Sequence, residues 1–327
     1  MTRPKPCLTA GFFAHDPGRR RDLCVTKTTM ALQKTLTAKT WMEFVLLGVI
    51  WGASFLSIRV ALDVVPVVTS VFHRVFWASL VLWIVIWLRR VPLHLSARHW
   101  LAFLVMGLLN NVLPFSLMAW GQLYVETGLT SILNAATAIF GVLLAAVFFK
   151  DERLTPLRLL GVTLGFLGVS IAIGIQNFTS LNPASLAQLA ILVGTVSYAC
   201  AAVWARKHLT DLPPQVAAAG MLTSATLMMA PITLAVDGVP TFALPWQTLL
   251  AIGYYSIIAT AGAYLLYYRV LAKAGSGNLM LVTLIIPPVA IVLGATMRDE
   301  ALSPNAYLGF AILALGLILL SRANRQD

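Results

Sequence analysis

Charged side chains are scarce in this sequence: they make up 11% of its 327 residues, while hydrophobic residues make up 59%. A soluble domain carries about 25% charged residues. Too little polar surface is present to cover a soluble core, so the chain reads as an all-α integral membrane protein embedded in a lipid bilayer. Cysteine is also sparse. Cys7, Cys24 and Cys200 are too few and too scattered for a disulfide framework or a metal site. The five histidines show no HExxH-like spacing, so neither a metal nor another cofactor is expected. A formal net charge of +11 would suit nucleic acid, but the basic residues lie between apolar runs and form no stripe, which argues against that partner. An intramembrane enzyme would need a Ser/His nucleophile in a GxSx-type context, a GxGD carboxylate or a His-rich set, and the sequence has none. A channel would want a repeated pore lining or filter.

What is present is a series of ten apolar segments, each near the ~20 residues that a helix needs to cross ~30 Å of hydrocarbon. They cover 42–60, 67–88, 99–121, 127–149, 157–175, 186–205, 215–236, 247–268, 277–297 and 305–321. Helix stops such as Val65-Pro66, Asn182-Pro183 and Leu212-Pro213-Pro214 separate them. None alternates as a β-barrel strand does. Residues 1–40 differ: they hold eight Lys or Arg, two acids and no long apolar run. They are expected to form a basic cytoplasmic tail without fixed structure, or to contain a misassigned start with Met30 as the true first residue, with a transit peptide as the third option. With the N-terminus inside, twenty of the 23 basic residues fall on the cytoplasmic side, which predicts both termini inside.

One phrase occurs twice. KDERLTPLRLLG (150–161) returns as RDEALSPNAYLG (298–309), with Asp151, Glu152, Leu154, Pro156, Leu160 and Gly161 matching Asp299, Glu300, Leu302, Pro304, Leu308 and Gly309. Upstream, with a one-residue slip, YVETG (124–128) pairs with LAKAG (271–275). The first hairpin joins segments 4 and 5 on the inside, and the second joins 9 and 10 on the outside. A repeat with an odd number of helices must arrive upside down the second time, so the expected architecture is two inverted five-helix repeats over 41–175 and 186–321.

WGASFLSIR (51–59), the run from Ala119 through KDERLTP to Gly168, and the run from Tyr267 through RDEALSP to Gly316 are similar to the two repeats of the EamA family, within the drug/metabolite transporter superfamily. The resemblance implies ten helices, alternating access and a central cavity between the halves. It also implies a bacterial inner-membrane exporter of small metabolites, amino acids first. A facilitative, channel-like permease, and an exporter of drugs, nucleosides or sugars, stay open as alternatives. One departure is visible: the proline often found in the fourth helix of each repeat is Pro287-Pro288 in the second, whereas Ile139-Phe140 stand there in the first.

Polar and aromatic residues inside spans are the candidates for binding a small-molecule substrate, because such groups are costly in hydrocarbon. Trp51 lies ten residues past Trp41, about 15 Å along the helix and below the interfacial belt. Ser54 extends its face. Asn110 and Asn111 sit mid-span beside Pro114, which frees a carbonyl. Tyr264 and Tyr268 share a face in a tyrosine-rich stretch (Tyr254, Tyr255, Tyr264, Tyr267, Tyr268), Tyr198 is half-way through its span, and Trp120 aligns near Tyr267 in the other repeat. Arg59 and Arg74 are expected at an outer vestibule, either reaching back to the interface, or holding a substrate carboxylate, or pairing with Asp63 or Glu126. Pro114, Pro287 and Pro288 are expected helix kinks. Gly161, Gly165 and Gly168, matched by Gly309 and Gly316, read as a close-packing stripe, within the fold or at a homodimer contact. No Asp or Glu falls deep in a span.

Overall fold

The computed structural model describes residues 38–174, 182–279 and 281–323, without the side chains of residues 275–278; the tail expected over 1–40 lies almost wholly outside them. Among the described residues, nine helical stretches are long and apolar enough to cross a membrane, and a tenth, Val282–Arg298, is shorter. In chain order they are α1 (Ala38–Leu62), α2 (Val67–Leu88), α3 (Ala97–Gly121), α4 (Thr127–Phe148), α5 (Pro156–Ile173), α6 (Pro183–His208), α7 (Pro214–Val236), α8, α9 (Val282–Arg298) and α10 (Pro304–Ala323). α8 is continuous through Trp246–Gly253, Tyr254–Gly262 and Ala263–Leu279.

The local sequence explains where the helices begin. Proline opens α5, α6, α7 and α10, where its missing N–H and fixed φ do no harm. The Thr155 hydroxyl accepts from the Arg158 N–H at 3.3 Å, and Asn182 accepts from the Ser185 N–H at 2.8 Å, as N-cap residues do. α8 differs from the expected span. It does not stop at 268 but runs on through AKAGSGNL, because tertiary contacts override the glycines. Val270 and Ala274 are buried with Phe44 and Leu47 of α1, and the Lys273 ammonium donates to both oxygens of Glu43, at 2.7 and 2.8 Å.

Helix contacts come in pairs related by exchanging the two halves. α1–α9 has its counterpart in α6–α4, α1–α8 in α6–α3, and α2–α8 in α7–α3, while α2–α7 and α5–α10 are their own counterparts. That is the packing of two five-helix repeats about a two-fold relation, and an odd helix number inverts the second. The glycine stripe is spent inside the chain. A Cβ on Gly309 would lie 2.5 Å from the Gly168 carbonyl oxygen, and one on Gly316 would lie 2.7 Å from that of Gly161. α5 and α10 therefore touch backbone to backbone, and this face is not available to a second copy.

The repeated hairpins do different work in their two positions. Glu152 pairs with Arg158, just past its own loop, at 3.1 Å, and with Arg206 at the end of α6, at 3.0 Å. Glu300 instead reaches the start of α4, accepting from the N–H and hydroxyl of Thr127 at 2.8 Å each. Asp237 does the same for α2, accepting from the Thr69 N–H at 2.9 Å and its hydroxyl at 2.7 Å. Both carboxylates face the positive end of a helix in the opposite repeat. At the same end Asp63 joins Arg59 of α1, at 3.0 Å, to Arg298 of α9.

Candidate functional site

α3 and α8 occupy equivalent places in the two repeats, and both leave α geometry at mid-span. α3 widens to a π turn over Leu108–Val112, and α8 over Tyr254–Gly262. A π turn bonds each N–H to the carbonyl five residues back, so one carbonyl is passed over where the helix returns to α. In α3 the Leu113 N–H bonds to Leu108, which passes over Leu109, and Pro114 then has no N–H to offer. The Ser197 hydroxyl of α6 donates to the Leu109 carbonyl at 2.7 Å. In α8 the Ala263 N–H bonds to Ile258, which passes over Ala259. The Trp51 indole of α1 donates to that carbonyl at 3.2 Å. Each break is closed by a side chain from the first helix of a repeat.

Between the breaks lies a cavity of about 540 Å³, within the usual range for small-molecule sites. Seven of the residues singled out in the sequence line it: Trp51, Ser54, Arg74, Asn110, Tyr198, Tyr264 and Tyr268. The Asn110 amide donates to the Tyr264 hydroxyl at 3.0 Å, joining the two π-bearing helices across the cavity. Tyr264 and Tyr268 stack at 6.4 Å, and Tyr267 meets Trp51 at 5.8 Å. One wall is therefore aromatic.

The other candidates lie elsewhere. Asn111 is fully buried behind the cavity, its Oδ1 3.5 Å from the Tyr264 hydroxyl and its Nδ2 without a partner among the described residues. Trp120 packs edge-on against Tyr124 at 5.5 Å, with the cluster around α5 and α10. Arg59 stays at the helix end with Asp63, so the two arginines do not share a vestibule. Pro114 stands two residues past the end of the π turn, and Pro287 and Pro288 sit inside an α9 that continues through them.

Arg74 is the charged residue that lines the cavity among the described residues. Its Nε donates to the Thr260 hydroxyl at 3.1 Å, and its guanidinium carbon lies 3.6 Å from the centre of the Phe115 ring. Thr260 is itself fixed by the π turn, its hydroxyl donating to the Tyr255 carbonyl at 2.7 Å. His73, the neighbour of Arg74, points away and packs between Phe72 and Phe242. The cavity also holds Ser70, Gln122, Thr137, Thr260 and Thr283, which carry no signal in the sequence, and Tyr255, which was named only within the tyrosine-rich stretch. Isolated hydroxyls and amides on apolar helices carry no pattern by themselves. Tyr255 stood in the tyrosine-rich stretch, but its burial against Ser70, hydroxyl to hydroxyl at 3.1 Å, depends on how α2 meets α8.

The family model described as "EamA-like transporter family" matches the chain twice, over residues 39–174 and 185–322. The chain is 24% identical, over 294 residues, to the "Probable amino-acid metabolite efflux pump" of Escherichia coli (strain K12), covering 87% of this chain and 95% of that one. It is 27% identical, over 293 residues, to the "Probable terminal-alkyne amino-acid exporter" of Streptantibioticus cattleyicolor, covering 88% and 94%. A solved crystal structure superposes with a TM-score of 0.64 at 17% identity, covering 88% of this chain and 98% of the other, a likeness of fold.

Proposed function

The chain belongs to the EamA-like transporter family, a family of transporters and not of enzymes, and from that premise we propose that it exports amino acids by alternating access at the cavity between its two repeats. The observation that carries this reading is the cavity itself. It is of small-molecule size, and it lies where both α3 and α8 are broken by a π turn. Two helix breaks, equivalent under exchange of the halves, are suited to letting one repeat rock against the other about a fixed site. The amino-acid assignment is supported by the names that two relatives carry. The excess of basic residues on one side supports cytoplasmic termini in a bacterial inner membrane, with transport directed outward.

Counterflow in proteoliposomes tests this. Vesicles loaded with unlabelled amino acids, with labelled partner outside and no imposed gradient, should accumulate label only when the protein is present. Absence of accumulation across the amino acids would remove the substrate assignment. Flux of label without accumulation above equilibrium would replace the carrier with a channel-like permease. No Asp, Glu or His lines the cavity among the described residues, which favours transport without proton coupling. Counterflow rates should then be indifferent to an imposed pH gradient.

A further inference from the structure

Resting on the reading that this cavity holds the transported molecule, the substrate class can be taken further. Arg74 brings a full positive charge into a membrane-spanning helix, and among the described residues no carboxylate lines the cavity to balance it. Its surroundings use one edge and one face of the guanidinium. Nε donates to Thr260 at 3.1 Å, and Phe115 covers a face at 3.6 Å. The two terminal nitrogens, with four N–H donors between them, make no hydrogen bond among the described residues. Two terminal donors held in a plane match the two oxygens of a carboxylate.

The orientation of that fork is set before any ligand arrives. The Thr260 hydroxyl has committed its proton to the Tyr255 carbonyl at 2.7 Å, so toward Arg74 it acts only as an acceptor. A pinned Nε and a covered face leave the guanidinium little freedom, and such preorganisation raises affinity. Much of the remaining lining is aromatic, including Trp51, Tyr264, Tyr267 and Tyr268. The remaining polar groups near it, such as Ser54 and Asn110, are neutral: they can accept from an ammonium but do not demand one.

The geometry points to Arg74 as the carboxylate anchor of a substrate that is a monocarboxylate with an aromatic or large apolar body. The carboxylate is the obligatory group, and the α-ammonium is tolerated. Three matched probes separate these parts: L-phenylalanine, 3-phenylpropionate (which lacks the ammonium) and L-phenylalaninamide (which lacks the carboxylate). Each is titrated against the purified full chain by tryptophan fluorescence and thermal shift. The expected result is that both acids bind and that the amide binds at least about tenfold more weakly, as loss of a charge-assisted hydrogen bond predicts. Arg74→Gln should weaken both acids by about tenfold or more and leave the amide unchanged, and Arg74→Lys should rescue in part. Thr260→Val keeps the charge and releases Nε; it should weaken the acids roughly two- to tenfold and spare the amide, whatever the folding of the Arg74 variants. Amide binding equal to acid binding, unchanged acid binding in Arg74→Gln and Thr260→Val, or no acid binding up to roughly 10 mM would overturn the assignment. Acid binding without counterflow would keep the anchor and remove the export reading. Counterflow that carries the amide as fast as the acids would keep export and remove the anchor.

Discussion

Trp51 of α1 donates its indole N–H to the carbonyl of Ala259 in α8, at 3.2 Å, and that carbonyl is the one the π turn leaves without a helical donor. Ser197 of α6 stands in the same relation to Leu109 of α3, at 2.7 Å. A mid-membrane carbonyl without a donor is costly, because no water is present to bond it. The two contacts therefore make the π turns tolerable, and they hold them at the cavity where the repeats meet.

Trp51→Phe keeps an aromatic ring and removes the donor, leaving the Ala259 carbonyl unpaired at a cost of about 1–3 kcal/mol. The thermal midpoint in detergent should fall, and the counterflow rate should fall with it. Ser197→Ala should act in the same direction and by a similar amount. The double variant should be close to additive, since the two contacts share no partner. A Trp51→Phe protein that melts with the wild type would mean that the π turn of α8 is stable without its cap.

The helices were legible in the sequence because each one repeats the same signal, an apolar run closed by a proline, a glycine or a charged hairpin. The end of α8 was not, since LAKAGSGN has the composition of a loop and is held helical by Glu43 from the far end of the chain. The cavity was legible where a residue type is expensive at depth, as at Trp51, Arg74 and Asn110. It was not legible at Thr260 or Gln122, which become distinctive only through the partners that the fold gives them. Asn110 and Asn111 illustrate the limit, because adjacent residues on a helix face apart and only packing decides which one meets the cavity.

Gly309→Ala should be poorly tolerated. The new Cβ would lie 2.5 Å from the Gly168 carbonyl oxygen and from the Ala172 nitrogen, backbone atoms that cannot turn aside. Overpacking of this kind costs about 1–3 kcal/mol. Gly141→Ala in α4 is the control, because its Cβ would meet nothing within 4 Å among the described residues, and alanine is favoured over glycine in a helix by about 1 kcal/mol. Thermal midpoints should move in opposite directions, with the folded yield of Gly309→Ala reduced. Equal stability of the two variants would contradict the backbone contact between α5 and α10.

A loop contact should give part of the stability a dependence on acid. The Ser96 N–H donates to Nδ1 of His99 at 3.0 Å, which places the ring proton on Nε2, 3.0 Å from Asp211. That hydrogen bond, ahead of the Asp211 backbone, holds the Asp211 carboxyl below the usual carboxylate range. A carboxyl with a lower pKa in the folded state stabilises above its unfolded value of about 3.9, and its contribution is lost as pH falls through the lower folded value. The difference in thermal midpoint between wild type and Asp211→Asn should be present at neutral pH and shrink below about 3.9. A difference that persists undiminished under strong acid would exclude Asp211 as the titrating partner.

Gln122 supplies the sharpest separation of stability from function. It is 1% exposed and its residue borders the cavity; its Nε2 donates to the Phe55 carbonyl at 3.0 Å, while its Oε1 is buried beside the cavity with no partner among the described residues. A buried acceptor left open costs about 1–3 kcal/mol, so a side chain kept only for packing would be better replaced by an apolar one. Gln122→Leu removes the open acceptor, and the Phe55 carbonyl retains its place in the hydrogen-bond ladder of α1. The thermal midpoint should hold or rise, while counterflow falls roughly two- to tenfold through loss of a hydrogen bond that the acceptor makes to the substrate once the repeats rock. A lower midpoint with unchanged transport would make Gln122 a strut between α1 and α3. A higher midpoint with slower transport is what a group retained for its ligand predicts, because binding sites keep polar atoms unsatisfied until the ligand arrives.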